Sequence, residues 1–486
     1  MVPMHPHAYF GRARRATRLS IALLAAFAQP GAAQATATYV AFVGATVVPM
    51  DSPRVLRGQI VLVHGDRIVS VGPARTTPLP PAARRIDARG LFLFPGLADM
   101  HIHLLEGSAY FPLLLANGVT TVRHMATPPD MRTLRAQSDS GTIIGPTIFT
   151  AGPLLDGSPP VWPGSDVVVT ADQARQAVVR QKGAGYDFLK VYDNLSPAAY
   201  DAIMETADSL RIRVAGHVSP RVGLEHVLSA HQWSIEHLTG YFEWLQTPAS
   251  PFAHVDTSER FARPAHLLPE RQLLVDWVDT SRIREIARRT AEAGTWNVPT
   301  LVAWRNAVSG RDLARAWTRP GMQFATPMLH RWWSSDTEYT AAQMAARRRG
   351  DTVRAIIVKA LHDAGARIVV GTDAPHPFVM PGYAVHDELR NFVRAGLSPY
   401  EALTAATADA AEFMGVPGEF GVIRPGARAD LVLTRGNPLD NIANASRIVG
   451  VMVRGHWLTS RTLRQCLRAA RCSALFPSRQ LTDHGL

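Results

Sequence analysis

The chain has 486 residues, 47% hydrophobic and 19% charged, which is enough apolar material for a large core and excludes extended disorder. Its 51 Lys plus Arg against 40 Asp plus Glu give a formal charge of +11, with no basic cluster interleaved with aromatics of the kind that tracks nucleic acid. The two cysteines, Cys466 and Cys472, exclude a cysteine-built metal site elsewhere; on one continuous helix their separation of about 9 Å would forbid a disulfide without a turn.

In chain order, Arg12, Arg14, Arg15 and Arg18 precede the apolar run Leu19 to Phe27, and small residues follow at 31–35. This is the pattern of an export signal over residues 1–35. Cleavage near Ala33 or Ala35 removes four arginines and no acid, lowering the charge from +11 to +7. The run is shorter than the ~20 residues that span a bilayer, so the expectation is a periplasmic or secreted protein with no stable membrane anchor. Arg14-Arg15 leaves the general and twin-arginine routes both open.

Residues 36–94 hold the β-type runs "TYVAFVGATVV", "GQIVLVHGDRIVSVG" and "RRIDARGLFLFPG", with Gly65-Asp66 placed as a hairpin turn. A similar texture returns over 418–460, which predicts a small β-sandwich built from both chain ends, ahead of a C-terminal tail over 461–486. Between them, over 95–417, apolar runs alternate with amphipathic helices, the α/β pattern of a parallel sheet. Strands are predicted at Leu91–Leu97, Thr120–Arg123, Thr147–Ala151, Phe188–Tyr192, Arg213–Ala215, Trp233–Ile235, Trp296–Leu301 and Arg367–Val370. Eight is the number of a (β/α)8 TIM-type barrel, here distorted. Thr170 with Gln173 and Ser398 with Glu401 fit capping boxes, and Ser196-Pro197 fits an N-cap with proline at the first helical position. The connections near 241–294 and 303–366 are long enough to predict helical insertions over the site.

In such a barrel the polar residues at the C-terminal strand ends share one rim. There the chain places His101 and His103 in "GLADMHIHL", Lys190 in "YDFLKVYDN", His217 in "RVAGHVS", His237 in "WSIEHLTG" and Asp373 in "RIVVGTDAP". Two histidines at alternate positions point to one side and can chelate one cation. Lys190 is one of three lysines, with Lys182 and Lys359, beside 48 arginines, and it lies inside an apolar run. A desolvated lysine can lose its proton, whereas arginine cannot, so this position is read as chosen for chemistry.

With these motifs the chain is identified as a member of the amidohydrolase superfamily, from "FPGLADMHIH" to the "GVIRPGARADLVL" return. The resemblance implies a two-metal centre: His101, His103 and Asp373 on one divalent ion, His217 and His237 on the other, and Lys190, carboxylated by carbon dioxide, bridging both. Zinc is the favoured metal, with manganese, cobalt and nickel also suited to these ligands. It implies hydrolysis by a hydroxide held between the ions, with Asp373 as general base and acid. Lys190 argues against the one-metal branches, including imidazolonepropionase-like enzymes and adenosine or cytosine deaminases.

"VRHM", "FLKVYDN", "AGHV" and "SIEHL" resemble most the prolidase-like branch of dipeptidases and carboxypeptidases, including enzymes that cleave N-acyl amino acids and ochratoxin-type amides. Tyr241 matches a tyrosine of that branch that contacts substrate, and packing is its other reading. Two departures stand out: "TAGPLLDGSPPVWPG" lacks the branch's histidine, and His124 stands where many relatives have aspartate. The expected partner is a small-molecule or short-peptide substrate, and homo-oligomerisation stays open. A lactonase or phosphotriesterase on the same centre and an inactive secreted binding protein are the alternatives. His226, His231, His362, His376 and His386 are read as structural, and no site role is assigned to Arg305, Trp332 or Trp333.

Overall fold

The computed structural model describes residues 38–125, 131–252, 274–306, 312–335 and 339–469. The predicted export signal, Cys472 and the end of the tail lie outside the described residues. The chain opens with β1 (Tyr39–Val47), β2 (Leu56–His64), β3 (Arg67–Pro73), β4 (Arg84–Asp87) and β5 (Phe92–Pro95). A second series follows: β6 (Leu97–Ile102), β7 (Val119–His124), β8 (Thr147–Thr150), β9 (Leu155–Asp156), β10 (Asp166–Val167), β11 (Phe188–Val191), β12 (Arg213–Gly216), β13 (Ser234–Glu236) and β14 (Trp296–Val298). The last strands are β15 (Leu431–Thr434), β16 (Ile448–Val453) and β17 (His456–Thr459).

The two chain ends meet in one eight-stranded sheet, β17-β16-β15-β5-β1-β2-β3 with β4 beside β1. The β2–β3 hairpin turns at Gly65-Asp66 as expected. Gly-Asp is favoured there because the tight turn needs a positive φ, and Gly65 adopts +59°. Phe42, Val61, Leu93, Leu431 and Met452 form this sheet's buried cluster. Each contributes about 1.5–3 kcal/mol of transfer free energy.

The middle series is parallel, as the alternation with helices requires: β6-β7-β8 in one sheet and β10-β9-β11-β12-β13-β14 in another. Isolated parallel bridges join Ala151 to Phe188, Asn297 to Ile368 and Ile102 to Ala374. The expected first strand, Leu91–Leu97, is divided. Residues 92–95 pair with β15, and Gly96 N still donates to Asp430 O, but Leu97 N turns to Gly118 O in the parallel series. The apolar run is continuous because both halves are buried, so hydrophobicity alone could not locate the crossing. The consequence is that His101 lies inside a strand.

Helices pack against the parallel strands. Val122, Ile148, Leu189 and Ile235 share one cluster with Ala174, Ile203, Ile286, Ile357 and Phe392 from the helices. The helix Ala171–Gly183 has the predicted Thr170 capping box, Pro399–Ala405 has that of Ser398, and Pro197–Ser209 begins after the Ser196 cap. The second long connection carries the helices Leu313–Ala316, Pro327–Ser335 and Ala341–Asp363, while much of the first lies outside the described residues. No helix among the described residues is long and apolar enough to cross a membrane.

Candidate metal centre

Five segments of the chain bring the predicted residues near one another. His101 is fully buried in β6 and His103 follows it, with ring centroids 5.5 Å apart. Asp373 reaches them from the turn after Val370, because Thr372 N and Asp373 N both donate to His101 O, at 3.1 and 2.7 Å. Its Oδ1 lies 3.4 Å from His101 Nε2 and 3.2 Å from His103 Nε2. Among the described residues, the ligating atoms of His101, His103 and Asp373 all lie within 4.8 Å of one another, a spacing one cation can span. Gly371 makes the approach possible: a Cβ there would stand 2.7 Å from His101 Cβ.

His237, after β13, brings its ring to 4.4 Å from His101 and 4.9 Å from His217, which follows β12. Gly216, just before His217, has φ +147° and would drive a Cβ to 2.1 Å from Val191 O, so only glycine lets the backbone pass there. Lys190 projects from β11 with 1% of its surface exposed. Burial pulls its ammonium down to about 8; Glu236 opposes that shift and Arg123 adds to it.

The outer contacts fix which imidazole nitrogen faces inward. His101 Nδ1 donates to Glu236 Oε2 at 2.6 Å and His217 Nδ1 donates to Asp193 Oδ1 at 2.7 Å. Each Nδ1 therefore carries the hydrogen, and each Nε2 presents a lone pair, the arrangement that metal-ligating histidines adopt. His237 Nδ1 is 2.7 Å from Thr300 Oγ1. Both His101 Nε2 and His217 Nε2 are buried and make no hydrogen bond among the described residues; the 3.4 Å approach of Asp373 to the former lacks hydrogen-bond geometry. Two buried acceptors on rings that both neighbour His237, with no donor to satisfy them among the described residues, fit a cation. Burial pushes all three imidazoles below their ordinary range, which keeps them neutral as ligation requires. Burial alone would raise the Asp373 carboxyl, but His237, His101 and His103 hold it well below the usual range.

Glu236, Asp193, Thr300 and Arg123 carry no motif of their own in the sequence, and their roles come from the fold. Glu236 is fully buried and accepts both Arg123 Nη2 contacts, at 2.8 and 2.9 Å, besides His101. Its signal was available: a glutamate immediately before His237 in an apolar strand. Arg123 also donates to Met100 O, and its guanidinium lies 4.7 Å from the Phe413 ring centroid.

Tyr241 is fully buried, and its hydroxyl donates to Asn297 Oδ1 at 2.9 Å and lies 3.1 Å from Thr290 Oγ1, the arrangement of the packing alternative. A tyrosine four residues past a site histidine cannot be assigned from spacing, because the left-handed turn at His237 and Leu238 redirects the chain. His124 accepts from Leu104 N at 3.1 Å through Nδ1, and its ring is 6.3 Å from His103. His226, His231 and His386 have structural partners in Asp201, Ala293 O and Asn117 O.

The profile of the Amidohydrolase family matches residues 92–458. The chain belongs to the amidohydrolase family. It is a metal-dependent hydrolase of that family, and the match runs from β5, ahead of the first site histidine, into β17. Among solved structures, this amidohydrolase is similar to bottromycin amidohydrolase at 28% identity and TM-score 0.71, over 90% of both chains. It is also similar to a putative prolidase from Bifidobacterium longum at 25% identity and TM-score 0.64, over 90% of this chain and 99% of that one. Among curated proteins it is 25% identical to the 5-methylthioadenosine/S-adenosylhomocysteine deaminase of Symbiobacterium thermophilum, over 80% of this chain and 84% of the relative.

Proposed function

We infer that this amidohydrolase cleaves the amide bond of a dipeptide or N-acyl amino acid and releases a C-terminal amino acid, with Asp373, His101, His103, Lys190, His217 and His237 as its working residues. The observation that carries the two-metal reading is Lys190: an amine 1% exposed, drawn down to about 8 by burial, among three neutral histidines and a carboxylate. Its neutral nitrogen attacks carbon dioxide, a C–N bond forms, and one N–H proton leaves to solvent. The resulting carbamate is an anionic oxygen donor at the end of a strand, which a guanidinium cannot become.

Bound divalent ions, with zinc suited to the histidine and carboxylate donors, supply Lewis acidity toward a carbonyl and lower the pKa of a water. The protein's own part is positional and acid–base. Asp373, held ionised beside His103, accepts the proton of the attacking water and returns it to the leaving amine nitrogen. Glu236 and Asp193 hold the Nδ1 sides of His101 and His217, leaving each Nε2 as the nitrogen that would ligate a bound ion. The parallel strands together with the bridges at Ala151, Asn297 and Ile102 support a closed (β/α)8 barrel over about 95–417, and the single eight-stranded sheet supports a small β-domain formed by 36–94 and 418–460. The basic and apolar N-terminal segment supports export.

Deamination is the second reading, favoured by the curated deaminase relative. The structural likeness to a bottromycin amidohydrolase and a putative prolidase favours amides. A screen of the metal-loaded protein against dipeptides and N-acyl amino acids, with a lactone, an ester, a phosphotriester and an adenosine-type nucleoside as controls, tests the assignment. Turnover of the controls alone refutes it.

A further inference from the structure

The loop between β9 and β10 brings no ligand to the metal centre, yet it is fastened to the strand that carries Lys190. Asp156, fully buried, accepts from Gly157 N at 2.9 Å and Val161 N at 2.8 Å within the loop, and from Asn194 N at 2.8 Å across it. Asn194 Nδ2 returns a bond to Pro159 O at 2.6 Å, and Tyr192 N donates to Leu155 O at 3.0 Å. These bonds tie the backbone on both sides of residues 157–161 to the segment 192–194. A surface loop with no role beyond connection does not require a buried carboxylate at its root.

The fastening fixes Trp162. Its indole Nε1 donates to Tyr192 Oη at 2.8 Å, and the Tyr192 ring lies against the His217 ring, centroids 4.1 Å apart and planes tilted by 31°. Lys190 Nζ is 5.9 Å from the same tyrosine ring. One aromatic surface therefore runs from a buried site histidine outward through Tyr192 to Trp162, which keeps 43% of its surface exposed. The open face of Trp162 thus continues a surface that begins at His217, and a ligand group covering it would gain the free energy of burying that area.

The geometry points to Trp162 as a specificity-determining residue: with Tyr192 it forms an apolar wall that selects substrates carrying an aromatic or large aliphatic group beside the scissile amide. This rests on the amide-hydrolase reading above. The wall offers an aromatic face and a tyrosine ring, so it discriminates by stacking and area, and it favours a phenylalanine-sized group over a methyl or hydrogen.

The test uses the metal-loaded full chain and matched substrates that differ only in a benzyl group or hydrogen on the acyl side or the amine side. In Trp162→Ala, kcat/KM for the benzyl substrate of the selected side falls about tenfold or more, carried mainly by KM. The glycine-sized substrate changes less than about threefold, the scale of scatter for a remote surface change. Trp162→Phe retains most of the preference and guards against a loop that has lost its shape. An unchanged benzyl-to-hydrogen ratio in Trp162→Ala on both sides overturns the inference. Calorimetric binding of L-phenylalanine and glycine to wild type and Trp162→Ala separates the two claims. If the wild type cleaves no amide, the functional reading fails. The wall is then judged by whether its preference for phenylalanine disappears with the indole, and equal binding by the two proteins overturns it.

Discussion

Replacing Glu236 by Leu removes the carboxylate that accepts hydrogen bonds from Arg123. Arg123 and Glu236 are both fully buried, joined by contacts of 2.8 and 2.9 Å, and Glu236 also accepts from Ser234 Oγ at 2.6 Å and His101 Nδ1 at 2.6 Å. Removing one partner of a buried pair leaves an uncompensated charge, at about 3–5 kcal/mol. The aromatic rings at 4.7 to 5.3 Å from the guanidinium soften that by about 1 kcal/mol through cation–π attraction. Glu236→Leu is therefore expected to lose about 2–4 kcal/mol in urea denaturation of metal-free protein. Arg123→Met combined with Glu236→Leu should recover most of it, giving a coupling of about 2 kcal/mol or more in the double-mutant cycle. The double variant should still bind metal weakly, because His101 has lost the acceptor that fixes its tautomer. A single variant within about 0.5 kcal/mol of wild type, or a cycle that adds without coupling, would refute the reasoning.

Asp193→Ala should weaken divalent-metal retention about 10–100-fold, measured by chelator competition, since His217 then has no acceptor for Nδ1. Lys190→Ala and Lys190→Arg should each hold roughly one ion fewer per chain by elemental analysis, and full occupancy in either would defeat the bridging role. Because burial brings the Lys190 ammonium down to about 8, reloading of metal-free wild type at a fixed concentration of dissolved carbon dioxide should quicken as pH rises and level off above that value. Glu388, fully buried with its oxygens on Leu301 N and Val302 N, is raised by burial to about 8. The folded state thus holds its proton more tightly than the unfolded chain, so stability is greatest below the ordinary glutamate range and falls until pH passes about 8. At about 1.4 kcal/mol per unit the span is about 5 kcal/mol at most, and Glu388→Gln should flatten that slope in urea titrations between pH 5 and 8.5.

The α/β class, the hairpin at Gly65-Asp66, the caps at Thr170, Ser196 and Ser398, and the approach of His101, His103 and Asp373 to one another were legible in the sequence. They rest on short-range rules: a cap acts within three residues, and alternation along a strand decides which side chain reaches the rim. A strand end followed by a polar residue carries that information locally, whatever the rest of the chain does. What tertiary structure alone decided joins residues far apart. The run 91–102 changes sheets at Gly96 because Asp430 and Gly118 supply the next acceptors. Glu236 orients His101 across 135 residues, Thr300 meets His237 across 63, and the hydroxyl of Tyr241 is taken by Asn297, 56 residues on. No periodicity predicts such partners, since a buried hydrogen bond is set by which strand lies beside which. That neighbour is fixed only once the parallel strands have packed.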